Sequence, residues 1–474
     1  MLGSSACSAG AKGEAAADEP AAPVTQVVRV AMTAPLNVDP ARLNPTRSLD
    51  VLAADLIYDG LTAYDRKAES AVPELAASWT TEDGVTWRFT LDPRRTWSDG
   101  VPITASDVVA SLQRVHALST ESIGASRLDI VTSVVADGDD VVVITAKEAN
   151  REIPALLADP TYGIVPPDSS PAITTTARVS GRFRPTAATA DGVTLTAPNT
   201  PGIGTIEFVS FGDLESARLA LEAGEVDLAE VADGAEAPDA ASVVDVSATT
   251  LVLEFGVNGV LAPVEARRAI AHLLDRAAVA AAIGSLPADD LVPGDVVGPG
   301  ICAPACSPDA GFDLATLGSM HLDVRLGGAG EAAAADVVRQ LDVAGLEVAV
   351  RPSESAALQA VLVEGRLELA LFAVVGLAPT PGPYLNAVLS SVGSENLSGF
   401  ASAEVDAALA RARTEPDDAA RQEAYRSVET TALASVPVLP LARLGERFAV
   451  SDRVSGVAPF AGVLFEADAL SVED

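Results

Sequence analysis

The alternation of apolar and polar positions is most regular within residues 73–114. Apolar side chains alternate with polar ones from Val85 to Leu91, and this period of two predicts a strand with one buried face. Thr104 then precedes Asp107 by three residues, just before an apolar run, which is the capping-box pattern of a helix start. The segment also holds all three tryptophans of the chain, and we expect them in a hydrophobic core.

From Ile206 onward the pattern predicts helices and strands in alternation. Asp213 can cap a helix that ends at Gly224, because an aspartate before and a glycine after an apolar-periodic run are typical helix boundaries. A later unit has a predicted helix around 358–362 and a mostly apolar strand at Leu367–Phe372. Such units build sheets that are covered by helices, so we predict an α/β protein.

The composition and net charge of the chain indicate which kinds of binding partner are not expected. A chain of 474 residues predicts two or three domains, and its 66 acidic against 31 basic residues give a net charge of -35. A surface of this sign repels polyanions, so nucleic-acid binding is not expected. The charge is explained either by a solvated acidic face or by attraction of a cationic ligand, and the sequence leaves both open. It contains no apolar run long enough for a transmembrane helix.

The three cysteines fall in two contexts. Cys302 and Cys306 lie four residues apart in a loop, where we expect a local disulfide, since a zinc site needs three or four ligands and the histidines are scattered. Cys7 follows small residues and resembles the lipidation site of a bacterial lipoprotein; the alternative is a stray cysteine in a disordered tail. We expect residues 1–23 to be a signal remnant and a flexible tether.

Motifs of enzymes are missing from the sequence. It has no G-x-S-x-G, no phosphate-binding G-x-x-x-x-G-K-[ST], no H-E-x-x-H and no G-x-G-x-x-G after a strand. We therefore predict a binding protein without catalytic residues, cofactor or metal rather than an enzyme.

An ordered series of motifs carries a family resemblance. It runs through PELAASW, WRFTL, WSDGVPITASDV, LEAGEVDLAEV, a VEARRAIAHLLDR helix and a closing pair of helices that ends in PVLPL. The series covers most of the chain from Val27 to about Val457. It resembles the peptide-type, family 5 solute-binding proteins of ABC importers.

The resemblance implies a class II periplasmic-binding-protein-like α/β fold, with two lobes around a ligand cleft and a larger lobe of two domains. A hinge would close the lobes on a peptide-like or other small solute, which an ABC permease and ATPase would then import. The protein would be an extracytoplasmic, lipid-anchored monomer; the alternative is a diverged sensor or surface scaffold. The implied domains are domain I at 24–50, 166–250 and 445–474, domain II at 51–165, and domain III at 251–444.

The ligand segment departs from the family pattern. Peptide receptors of the family hold the peptide ammonium with an aspartate, and the matching position in FAVVGLAPTPGPYLNAVL is Leu377, with Val374 at the position of a tryptophan. A slip of one or two residues in this loop would change that register. We hypothesise a solute other than a free-amine peptide, such as a blocked peptide or a more apolar molecule. The residues that the resemblance places at the cleft are Asn37, Phe183, Asn258, Val374, Leu377 and Tyr384.

Overall fold

The structure is a computed structural model, and it describes residues 26–118, 121–168, 171–198, 202–232, 238, 241–292, 296, 312–325, 329–353 and 367–473. The α-helices are α1 Ser48–Ile57, α2 Ala105–Ala117, α3 Ile123–Leu128, α4 Ile153–Leu156, α5 Leu214–Glu222, α6 Val264–Leu273, α7 Arg276–Ala282, α8 Ala329–Val343, α9 Gly382–Leu389, α10 Ala403–Thr414 and α11 Asp418–Leu433. Short 3-10 helices lie at Pro40–Arg42, Pro160–Tyr162, Gly259–Leu261 and Leu314–Leu317.

The strands of the main sheet are β1 Gln26–Met32, β8 Arg184–Thr189, β9 Gly192–Thr196, β10 Ile203–Ser210, β11 Leu228–Val231, β12 Ala241–Phe255, β13 Leu286–Pro287, β14 Met320–Val324, β15 Val348–Pro352, β16 Leu369–Val375 and β17 Val438–Ser451. The smaller sheets contain β2 Thr62–Asp65, β3 Ser70–Pro73, β4 Ala76–Thr80, β5 Thr86–Leu91, β6 Val131–Asp137, β7 Val141–Ala146, β18 Val454–Ser455 and β19 Ser471–Val472. The main sheet has the order β15-β14-β16-β12-β17-β11-β1-β10-β9-β8, and β13 pairs with β17.

The long antiparallel pair of β12 and β17 connects the two ends of the main sheet. Its pairing is interrupted at Ala248, where Ser247 pairs with Gly445 but Thr249 pairs with Leu444. A bulge of this kind bends a strand and increases its twist. The interruption therefore separates two parts of one continuous sheet.

The hydrophobic core changes at the same point. On β12, Val246 packs in the core around β1 and β10, whereas Leu251 packs in a core with α6, α8 and β14. We call residues 26–247 and 445–473 the first lobe, and residues 249–444 the second lobe. The main chain passes from one lobe to the other in β12 and in β17. A bend at the interruption in these two strands would change the relative orientation of the lobes.

A four-stranded sheet, β4-β5-β7-β6, and α2 form a further core in the first lobe. The predicted strand is β5, whose Trp87, Phe89 and Leu91 are buried on one face. The predicted capping box is also present: the Thr104 side chain accepts from the Asp107 amide, and the Asp107 carboxylate accepts from the Thr104 amide. These predictions from the sequence are confirmed.

The helix predicted from the VEARRAIAHLLDR motif is wrong in its extent. It is divided into α6 and α7, because Asp275 leaves the helical conformation and its side chain accepts from the Ala278 amide as the cap of α7. Arg267 of the same motif is buried and donates to the carbonyl oxygens of Leu261 and Val436. The helix predicted around 358–362 lies outside the described residues.

Candidate functional site

A cavity of about 500 Å³ lies between the two lobes. Its wall in the first lobe comes from α3, the segment 147–150 and α4. Its wall in the second lobe comes from the end of β16, α9 and the loop 390–395. A volume of this size is ordinary for a small-molecule site, and a position between two lobes is where such sites commonly occur.

Arg127, at the last turn of α3, joins the two walls. Its Nη1 is 3.1 Å from the carboxylate of Asp159, and its Nη2 donates to the main-chain oxygen of Val375 across the cavity. The guanidinium also lies over the ring of Tyr384, 5.9 Å from its centroid. All of these interactions hold the arginine in place, so its charge is already neutralised within the protein.

The carboxylate of Asp159 is also held in position by hydrogen bonds that do not involve Arg127. Its Oδ1 accepts from the amide and the hydroxyl of Thr161, at 2.8 and 2.7 Å, and so caps the 3-10 helix that follows. Burial raises the pKa of Asp159, whereas Arg127 and the Thr161 donors favour its ionised form. A buried ion pair with these additional donors sets the position of Arg127.

A second contact between the lobes involves Glu152 and Tyr425. The phenol of Tyr425, on α11, donates to Glu152 Oε2 at 2.6 Å, and both residues are buried. The Glu152 carboxylate also lies against Gly382, the first residue of α9. The partial positive charge at a helix N-terminus favours a carboxylate there. Burial nevertheless raises the pKa of Glu152 above its ordinary value.

At one rim of the cavity, Arg413 of the second lobe pairs with Glu148 of the first. The carbonyl oxygen of Arg413 also accepts from the Arg151 amide at 2.9 Å. Together with the contacts of Arg127 and Glu152, these bonds hold the lobes against each other. The two lobes are therefore in direct contact around the cavity in this structure.

Two of the six residues predicted at the cleft line this cavity, namely Val374 and Tyr384. Tyr384 is buried, and its hydroxyl donates to the Gly376 carbonyl oxygen at 2.7 Å, which orients the ring toward Arg127. Leu377 does not line the cavity and is fully buried in a cluster with first-lobe side chains, among them Val51 of α1. The cavity therefore brings together Val374 and Tyr384 but not Leu377.

The other predicted residues lie elsewhere. Asn37 stabilises the loop before α1, where its side chain donates to the Arg42 carbonyl oxygen. Phe183 is buried in the core of the first lobe, because the backbone around it pairs with the end of α1. Asn258 is exposed at the cap of a 3-10 helix. The predicted lipidation site Cys7 and the predicted disulfide of Cys302 and Cys306 lie outside the described residues.

The charged residues of the cavity are not among the residues that the sequence predicts at the cleft. Arg127, Glu152 and Glu395 stand in segments without a recognisable motif, and their partners are remote: Glu152 and Tyr425 are 273 residues apart. The only local signal is Glu152 itself, an acid directly before the apolar run of α4. Contacts between residues of different lobes form only where the lobes pack together, so no local pattern in the sequence predicts them.

No group of three or more histidine, cysteine, aspartate or glutamate side chains within the described residues is arranged to hold a metal ion. Among the described helices, none has both the length and the apolar character needed to cross a membrane.

Comparison with known proteins finds one matching family model and several related proteins. The model of the bacterial extracellular solute-binding proteins, family 5 middle, matches residues 70–300. A segment of 80 residues is 36% identical to the periplasmic murein peptide-binding protein MppA of Escherichia coli, and one of 72 residues is 40% identical to the periplasmic oligopeptide-binding protein OppA of that organism. These segments cover 16% and 15% of this chain, and the chain spans in them only 15% and 13% of the two relatives.

Solved structures match over nearly the whole chain. The unliganded open form of the murein tripeptide-binding protein MppA is similar with a TM-score of 0.73 and 18% identity, over 96% of this chain and 99% of that one. HbpA2 of Haemophilus parasuis is similar with a TM-score of 0.74 and 20% identity, over 95% and 100%. At these identities the similarity shows the fold, and it confirms the periplasmic-binding-protein-like architecture predicted from the sequence.

The two lobes with a cavity between them give this chain the fold of the periplasmic binding proteins. More particularly, the family 5 resemblance predicted from the sequence is confirmed, since the model of the bacterial extracellular solute-binding proteins, family 5 middle, matches residues 70–300. The prediction of a binding protein rather than an enzyme is confirmed by these matches, since the matched relatives are themselves binding proteins.

Proposed function

We propose that this protein is the receptor of an ABC importer, which captures a small solute between its lobes and delivers it to a permease and ATPase. The observation that carries the proposal is the cavity, whose walls come from both lobes. A solute that contacts both walls stabilises the closed form relative to the open one, and this differential affinity drives hinge closure. The bulge of β12 at Ala248 is the natural position for the hinge.

The location and assembly follow from the same proposal. The receptor acts outside the cytoplasm as a monomer, attached to the cell membrane through a lipid on Cys7. The proposed domains are those expected from the sequence, domain I at 24–50, 166–250 and 445–474, domain II at 51–165, and domain III at 251–444. The change of core along β12 supports the limit at 250.

The solute is proposed to differ from a free-amine peptide. Leu377, at the position where the resemblance places the ammonium-binding aspartate of peptide receptors, is packed in the apolar contact between the lobes. Val374, at the position of the tryptophan, gives the cavity a small aliphatic wall. Both observations support an apolar solute or a blocked peptide.

A thermal-shift screen of the purified protein tests the proposal. The panel contains free peptides, blocked peptides, sugars, metal chelates and lipophilic amines. A ligand at 100 times its Kd stabilises the native state by about 2.7 kcal/mol, which gives a measurable rise in Tm. Ser126→Trp fills the cavity from an exposed position on α3, and Ser133→Trp places the same side chain on β6, away from the cavity lining.

We expect at least one solute to stabilise the wild type and the Ser133 variant but not the Ser126 variant. Stabilisation by unmodified di- to pentapeptides would refute the proposed solute class and restore an ordinary peptide receptor. If no compound stabilises the protein, the importer role fails and the alternative of a sensor or surface scaffold is favoured. Loss of uptake of the identified solute on deletion of the gene would then establish delivery.

A further inference from the structure

Acidic side chains outnumber basic ones in the lining of the cavity. They are Arg127, Asp129, Lys147, Glu148, Glu152, Glu395 and Arg413. Two of the three cations have acidic partners in the protein, Arg127 with Asp159 and Arg413 with Glu148. The third, Lys147, is exposed at the rim. The inner part of the cavity therefore has more negative than positive charge to offer a solute.

Glu395 is the one acidic residue that the second lobe contributes to the lining. Its Oε2 atom is buried and has no hydrogen-bond partner in the part of the chain that the structure describes. Burial raises the pKa of the Glu395 carboxyl, although Arg325 and Arg127 favour its ionised form. Neither arginine forms an ion pair with it among the described residues. Glu254, deeper in the second lobe, is fully buried, and the charge of Glu395 further raises its pKa.

The loop that carries Glu395 is held in place. The Glu395 amide donates to the Ala387 carbonyl oxygen at 2.9 Å, and the side chain of Asn396 donates to the carbonyl oxygens of Ser390 and Phe400 at 2.9 and 2.7 Å. These bonds fix the backbone at Glu395 and at the next residue, so the position of the Glu395 side chain in the cavity wall is well defined.

A second carboxylate faces the same cavity from the other lobe. Glu152 is 4% exposed, and its Oε1 atom has no hydrogen-bond partner among the described residues, whereas Oε2 binds Tyr425. Because protein atoms enclose Oε1, a cation in the cavity stabilises this buried carboxylate through its charge rather than through a hydrogen bond to that atom. A solute with a cationic group supplies this charge.

The other lining residues indicate which chemical character the uncharged part of the solute should have. Much of the wall is aliphatic, from Ile123, Ile130, Leu156, Val374, Val375 and Pro383. A solute carboxylate would need a free cation inside the cavity, but Arg127 is already paired with Asp159. The lining thus fits an apolar body with one positive charge better than a zwitterion.

We propose that the cavity binds an apolar organic monocation, a primary or secondary ammonium that pairs with Glu395 and whose charge is further stabilised by the Glu152 carboxylate of the same lining. The inference rests on the proposed receptor function and specifies its solute class. Glu395 is the direct binding residue on the second lobe, and Glu152 completes the site only when the lobes are closed.

Three probes with one skeleton test the charge requirement. Phenethylamine is a monocation at neutral pH, 2-phenylethanol is its neutral analogue, and phenylalanine adds a carboxylate to the same amine. Their affinities are measured by ligand-observed NMR and thermal shift on the full-length protein and on two variants. Glu395→Gln keeps the shape of the side chain and removes its charge, and Glu404→Gln makes the same change at an exposed position of α10 that does not line the cavity.

We expect phenethylamine to bind the wild type at least tenfold more tightly than the other two probes. The Glu395 variant should lose at least tenfold in amine affinity, while the Glu404 variant keeps it. Equal binding of the alcohol or the zwitterion, unchanged amine binding in the Glu395 variant, or no amine binding at all would each overturn the inference. The receptor function survives any of these if another solute of the broad screen binds, and fails only if that screen is silent as well.

Discussion

Replacing Tyr425 by phenylalanine removes a single contact between the two lobes. The phenol donates to Glu152 Oε2 at 2.6 Å, and both residues are buried. A hydrogen bond to a charged group contributes about 1.5–3 kcal/mol, and its loss leaves the Glu152 carboxylate with fewer partners in a buried position. Because 1.4 kcal/mol corresponds to a factor of ten, the closed form should become roughly 10- to 100-fold less favoured relative to the open form.

Tyr162→Phe is the matched control. Tyr162 is also buried, and its phenol donates to the Gly124 carbonyl oxygen at 2.9 Å, but both partners lie in the first lobe. Both variants should lower the free energy of unfolding, which denaturant titration measures. Only Tyr425→Phe should also raise the radius of gyration of the unliganded protein in small-angle scattering and weaken the binding of a solute identified by the screen. Equal radii and equal affinities in the two variants would refute the assignment of this bond to lobe closure.

Three further predictions concern other parts of the molecule. Gly382→Ala would place a Cβ atom so close to the Glu152 carboxylate that the two would clash. We therefore expect open lobes in scattering and at least tenfold weaker solute binding, without loss of unfolding free energy. Burial raises the pKa of Glu429 to about 7, so the folded state binds its proton more tightly than the unfolded state, and stability should fall by about 3 kcal/mol as pH rises from 4.5 to 7. Glu429→Gln should remove this part of the pH dependence in denaturant titrations. Thiol titration of the secreted protein should find Cys302 and Cys306 unreactive until a reductant is added, if they form the expected disulfide.

Each of these predictions has a control or a result that would contradict it. Gly212→Ala adds a methyl group where no other atom lies within contact distance, and it should leave the lobes closed. Glu404→Gln removes an exposed carboxylate and should leave the pH dependence of stability unchanged. A Glu429 variant with the same pH dependence as the wild type would show that this carboxylate does not titrate in the expected range. Two reactive thiols in the native protein would exclude the disulfide.

Several elements follow from short stretches of sequence because their determinants are local. Thr104 and Asp107 satisfy each other's backbone amides, so a spacing of three residues defines the start of α2. Asp213 likewise caps α5, and Gly224, with a φ of 71°, ends that helix as its position predicts. The motif alone predicts one helix where the structure has α6 and α7, because Asp275 lies in the middle of the motif and yet caps α7. Aspartate is a typical residue at such a cap.

The sequence by itself determined the strand and helix types, the family and the two-lobed architecture, since these depend on periodicity, caps and an ordered series of motifs. Only the tertiary structure decided which residues face the solute. Val374 and Tyr384 line the cavity and Phe183 does not, because their environment depends on how β16, α9 and α1 pack. The charged groups of the cavity depend on it most, because Arg127 meets Val375, and Glu152 meets Tyr425, only where the two lobes close on each other.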